Sequence, residues 1–132
     1  MIGIDTNVLV RLLVRDNEVQ TRAAVAFMSQ RSADDPAFVS ALVVAELVWV
    51  LSKTYGYADA AIHQALEGLF ESANLVIEDD EVVQRAVSEA KKSRADISDC
   101  IIAARAIHAG AEKTMTFDKP AAKRVPGMDL LS

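Results

Sequence analysis

Four acids spread along this chain, Asp5, Glu46, Asp99 and Asp118, have the types needed to hold a divalent cation. Glu46 makes the strongest case. It is the only polar side chain in the run Ala41-Leu42-Val43-Val44-Ala45-Glu46-Leu47-Val48-Trp49-Val50-Leu51. In a helix its neighbours at i±3 and i±4 are Leu42, Val43, Trp49 and Val50, so no polar face receives it. A carboxylate withdrawn from water needs a positive or hydrogen-bonding partner. Nothing basic lies within helical reach, so that partner comes from elsewhere in the fold or is a bound cation. The aspartates each have a plain structural reading as well. Asp5 caps a helix starting at Thr6; Asp96 caps another, with Asp99 in its first turn; Asp118 caps a short helix through Lys119-Pro120-Ala121. Glu46, in mid-helix, caps nothing. Its best structural alternative is a buried pair with an arginine such as Arg11 or Arg105.

If these acids meet, a cation must relieve their repulsion. Oxygen donors without a histidine or cysteine cluster select Mg²⁺ or Mn²⁺ over zinc. His63 and His108 have no partner at ligand spacing; His63 reads as a solvated helix residue. Cys100, on a mostly apolar helix beside Asp99, reads as packing rather than nucleophile. No Gly-rich phosphate loop is present. A carboxylate pocket with one or two Mg²⁺ ions, a second ion typically about 3.5–4 Å from the first, suits phosphodiester hydrolysis without a nucleophilic side chain. Asn7 and Thr116 are placed to hydrogen-bond the carboxylates or their waters. Arg15, Lys53, Lys91, Lys92, Arg94, Lys119, Lys123 and Arg124 are candidates for phosphate contacts, with ordinary surface roles as the alternative.

The elements that must position these residues alternate. Strands are expected over 1–5, 37–40, 75–77, 113–117 and 127–131. Helices are expected from Thr6 to about Leu13, from Asp16-Asn17 to about Gln30, through the Glu46 run to about Lys53, from Asp59 to about Glu71, from Asp79 or Asp80 to about Lys92, and over 97–109. In the Asp59 helix, Leu66, Leu69 and Phe70 are expected inward, and His63, Gln64 and Glu67 outward. Such alternation argues for an α/β fold with a parallel sheet covered on both faces. Ligands of such sheets bind outside the carboxyl ends of the strands, where Asp5 and Asp118 fall.

At 132 residues the chain is expected to form one domain. Its net charge of −5 excludes a global basic field for nucleic acid, so local basic residues and metal ions would have to meet such a substrate. The single cysteine excludes an internal disulfide and fits a reducing cytoplasm. The opening residues show no signal peptide, and the longest apolar run is too short to span a bilayer. A soluble cytoplasmic protein is expected.

The chain resembles PIN-domain ribonucleases, in particular VapC-type toxins of prokaryotic toxin–antitoxin pairs. The matching pieces are Ile4-Asp5-Thr6-Asn7-Val8-Leu9, Val39-Ser40 with Ala45-Glu46-Leu47, Asp96-Ile97-Ser98-Asp99-Cys100-Ile101-Ile102-Ala103-Ala104, and Thr116-Phe117-Asp118-Lys119. No piece is specific alone; four acids in the right order at domain-wide spacing are. The resemblance implies a single PIN-like domain over 1–132, with a parallel five-stranded sheet and helices on both faces. It implies that Asp5, Glu46, Asp99 and Asp118 bind the metal and cut RNA, with Asp96 a fifth acid or a cap. It also implies a homodimer and a cognate antitoxin whose C-terminal segment crosses the toxin. Leu12, Val25, Phe27 and the Trp49 region are candidate contacts for that segment, with plain core as the competing reading. Two other classes compete with a Mg²⁺-dependent endoribonuclease. A haloacid-dehalogenase-like phosphatase would want a second aspartate where Asn7 stands. A receiver-like scaffold would bind metal without cutting nucleic acid.

Overall fold

The computed structural model describes residues 1–131. The chain divides into two compact units, Met1–Glu78 and the part from Asp79 onward.

In the first unit, β1 (Ile2–Gly3), β2 (Ala37–Val39) and β3 (Leu75–Ile77) form a parallel sheet in that order. Ile2 faces Ala37, and Phe38 faces Val76. On the central strand Ala37 and Val39, which share one face, are buried, and Phe38 on the other is half-buried. Between β1 and β2 run α1 (Thr6–Leu13) and α2 (Glu18–Ser29); between β2 and β3 run α3 (Ala41–Lys53) and α4 (Asp59–Phe70). The core gathers Leu9 and Val10 from α1, Val44, Leu47 and Leu51 from α3, and Ile62 and Leu66 from α4. Each of these helices buries residues three or four apart, the spacing of a helix with one covered stripe. His63 lies in such a stripe, one residue after Ile62 and three before Leu66, and is buried rather than outward as expected. Gln64 and Glu67 do face solvent.

The second unit contains α5 (Asp80–Ser93), α6 (Ile97–His108), β4 (Thr114–Thr116), α7 (Lys119–Arg124) and β5 (Met128–Leu130). Helices α5 and α6 pack through Val83, Ala86, Val87 and Ala90 on one side and Ile97, Cys100, Ile101 and Ala103 on the other. Strands β4 and β5 pair in parallel, Thr114 facing Met128 and Thr116 facing Leu130. The turn into β5 passes through Gly127 at φ +87°, where a Cβ would meet the Ile107 side chain at 2.8 Å. Both the backbone angle and the close approach call for glycine there.

The expected five parallel strands are present, but not as one sheet: the strands pair as a set of three and a set of two. The first strand is also shorter than expected, since Ile4 and Asp5 lie beyond β1 and lead into the cap of α1.

Candidate active site

The plain structural readings of the aspartates hold, and they turn out to orient the candidate ligands. One carboxylate oxygen of Asp5 accepts from the backbone N–H groups of Asn7 at 3.1 Å and Val8 at 3.4 Å, capping α1. Asp96 accepts from Asp99 N–H at 2.9 Å and caps α6. Asp118 accepts from Ala121 N–H at 3.0 Å and caps α7. In each case one oxygen, Oδ1, serves the cap. A carboxylate has about four lone-pair sites, so the cap fixes the side chain's direction and leaves Oδ2 for another partner. Capping and metal binding are therefore compatible at the same residue. Asn7 meets Asp5 through its backbone N–H rather than its side chain, and the Thr116 hydroxyl accepts from the backbone N–H of Asp118 at 3.0 Å. Both residues support the neighbouring acid by shaping its turn.

Glu46 corrects the sequence reading. It lies on α3 as expected, but it is exposed, because that helix buries Ala41, Val44, Leu47, Val48 and Leu51 and leaves the opposite face open. Leu42, 74% exposed, and Trp49, 58% exposed, share that open face with Glu46. The arginines proposed to neutralise it are engaged by other acids. Arg11 pairs with Asp16, and Arg105 pairs with Asp79 at 3.0 Å. Within its own unit Glu46 has no ion-pair partner.

In the second unit the carboxyl of Asp99 is pushed above the ordinary carboxylate range, first by burial and then by the negative charges of Asp96 and Asp118. Three acids from the start of α6 and the start of α7 thus share one local field, and among the described residues none of them forms an ion pair with a basic side chain of the unit. Cys100 feels the same field. Burial first, and then Asp96, Asp99 and Glu89, raise its thiol to about 11, so it stays protonated at neutral pH and serves as packing.

Asp5 and Glu46 in the first unit, and Asp96, Asp99 and Asp118 in the second, each offer hard oxygen donors. Among the described residues, no three His, Cys, Asp or Glu side chains are already drawn together closely enough to hold a metal ion.

Residues 2–127 match the PIN domain family. The chain belongs to that family. The matched region runs through both compact units, from β1 to the turn before β5. PIN domains are generally nucleases that bind divalent metals, which supports a hydrolase. Comparison with curated proteins finds no significant match. No helix among the described residues is long and apolar enough to cross a membrane.

The sequence reading passed over two features. Glu78 accepts from Ala41 N–H at 2.9 Å and so ties the end of β3 to the start of α3, the helix that carries Glu46. Phe117, between Thr116 and Asp118, is 78% exposed. Its signal was visible as an aromatic residue set directly against an acid at a strand end.

Proposed function

We propose that this PIN-domain chain is a Mg²⁺- or Mn²⁺-dependent endoribonuclease, with Asp5, Glu46, Asp99 and Asp118 holding the metal and Asp96 and Asn7 supporting them. We propose further that it is the toxin of a toxin–antitoxin pair, that it acts in the cytoplasm as a homodimer, and that a cognate antitoxin restrains it. The observation that carries the metal-dependent reading is the field around Asp99, where burial and two neighbouring carboxylates combine without a basic residue to offset them. Asp16, Asp35 and Asp79 are paired with arginines, whereas Asp96, Asp99 and Asp118 form no ion pair among the described residues. The surface that α2 and α3 expose, with Val25 and Trp49 outward, suits the proposed protein contacts and counts against the plain-core reading of those two residues.

These carboxylates would hold a divalent ion, which when bound would supply Lewis-acid chemistry for phosphodiester hydrolysis. The residues of the chain do the positioning. The backbone N–H groups of Asn7, Val8, Asp99 and Ala121 each hold one carboxylate oxygen, so Asp5, Asp96 and Asp118 keep their directions without rearrangement. Thr116 fixes the turn that presents Asp118. A cation beside Asp99 would offset the neighbouring negative charges of Asp96 and Asp118 that raise its carboxyl.

The test is cleavage of a structured RNA by purified protein with Mg²⁺ or Mn²⁺. Loss of cleavage in Asp5→Ala and in Glu46→Gln, with circular dichroism unchanged, is expected. Undiminished cleavage in both variants would trace the activity to a contaminant and remove the proposal.

A further inference from the structure

Phe117 is the most exposed large aromatic residue among those described, and its setting is rigid. Thr116, before it, ends β4 and accepts a backbone hydrogen bond from Leu131 at 2.8 Å. Asp118, after it, donates its N–H to the Thr116 hydroxyl at 3.0 Å and accepts from Ala121 N–H at 3.0 Å. A three-residue corner tied on both sides thus carries an apolar ring into water, so little ordering cost remains when something covers the ring. Basic residues follow at once. Lys119 and Lys123, one turn apart on α7, are exposed and form no ion pair with the acids beside them. Lys92 and Arg94, just before Asp96, are exposed and likewise form no ion pair among the described residues. Acids and bases that are close neighbours in the chain leave one another unpaired. The unpaired acids call for a cation and the unpaired bases for an anion such as phosphate.

An aromatic face beside exposed lysines is what an unpaired nucleotide requires, since its base stacks on a ring while its phosphate meets the ammonium groups. We propose that Phe117 is a stacking platform for an unpaired RNA base next to the bond that is cut, with Lys119 and Lys123 meeting the adjoining phosphates. The inference rests on the nuclease reading and assigns Phe117 a positioning role.

The experiment uses the full chain and a fluorescein-labelled single-stranded oligoribonucleotide of about twelve residues, with binding followed by polarisation in the Asp99→Asn background and cleavage followed in the unaltered one. Phe117→Ala is expected to weaken binding about tenfold and to raise KM more than it lowers kcat, because stacking on one base contributes on that scale. Its melting temperature should stay within about 1 °C, as expected for truncating an exposed ring. Phe117→Trp should restore binding, whereas Phe117→Leu, apolar without a ring face, should not. Equal binding and cleavage by Phe117→Ala, in a protein that cuts RNA, would overturn the stacking role and leave the nuclease reading standing. Restoration by leucine as complete as by tryptophan would also overturn it. So would loss of a dimer by Phe117→Ala at unchanged RNA affinity, which would assign the ring to a second copy of the chain. If the unaltered protein neither binds nor cuts RNA, the nuclease reading fails first and this inference with it.

Discussion

Asp35 in the first compact unit and Asp99 in the second carry the same side chain and are displaced in opposite directions. A hydrogen bond from the Met1 ammonium group is the largest influence on Asp35 and outweighs the opposing desolvation; with the charge of Arg31 at 2.9 Å, it holds the carboxyl below the ordinary value. Arg31 is itself well seated, with only 8% of its side chain exposed and its guanidinium 4.7 Å from the centre of the Phe27 ring. Asp99 has no such cation and is raised by burial and by its acidic neighbours. Asp79, also in the second unit, is paired with Arg105 at 3.0 Å. Asp16, Asp35 and Asp79 each have an arginine partner in the same chain. Around Asp99, which has none, a charge imbalance remains for a ligand to resolve. Such local strain commonly marks functional sites.

The sharpest test of that contrast is Asp99→Asn. RNA cleavage should fall by at least about a hundredfold, since a metal ligand is lost. The fold should be slightly more stable in urea titrations, because a half-buried charge repelled by its neighbours is removed. Mn²⁺ should raise the melting temperature of the unaltered protein with increasing concentration and do so less for the variant. A destabilised Asp99→Asn would show that the acid is structural and erase the distinction.

Next in size is the paired region. Arg31→Ala removes the partner of Asp35 and the cation over Phe27 together, and a loss of about 1–3 kcal/mol is expected from chemical denaturation. Glu46→Gln, at an exposed unpaired site, should change stability by less than about 0.5 kcal/mol. A reversal of that order would mean that Glu46, not Arg31, is the structural charge.

The smallest effect is on pH dependence, and the two acids should contribute with opposite signs. The Asp35 carboxyl is depressed in the fold, so its stabilisation is present above the ordinary carboxylate value of 3.8 and is lost as pH falls through the lower folded value. Asp99 is raised, so its penalty is absent below 3.8 and grows as pH climbs through the higher folded value. Melting curves between about pH 2 and 7 should therefore show Asp35→Asn with a flatter acid limb. The advantage of Asp99→Asn should appear only on raising the pH. Parallel curves for both variants would count against the assigned shifts.

The helix boundaries could be read from the chain because the signals are short-ranged. Asn17 caps α2 through Gln20 N–H at 3.0 Å, and Ser40 caps α3 through Val43 N–H at 3.1 Å. Asp5, Asp96 and Asp118 do the same within two or three residues, so their capping roles and their order along the chain were open to inspection. The exposure of Glu46 was not. An apolar run around an acid looks like a buried helix, but burial depends on how many sides the neighbours cover, and α3 is covered on one.

The amino-acid order by itself determined where each element begins, the alternation of strand and helix, and the succession of acids characteristic of the PIN domain family, since all of these depend on residues a few positions apart. Only the tertiary structure decided that His63 lies inside, that the strands pair as three and two, that Arg11 and Arg105 answer to Asp16 and Asp79, and that Asp99 shares its field with Asp96 and Asp118. Those outcomes depend on which surfaces pack together and which charges are brought within a few ångströms, and distance along a chain does not specify either.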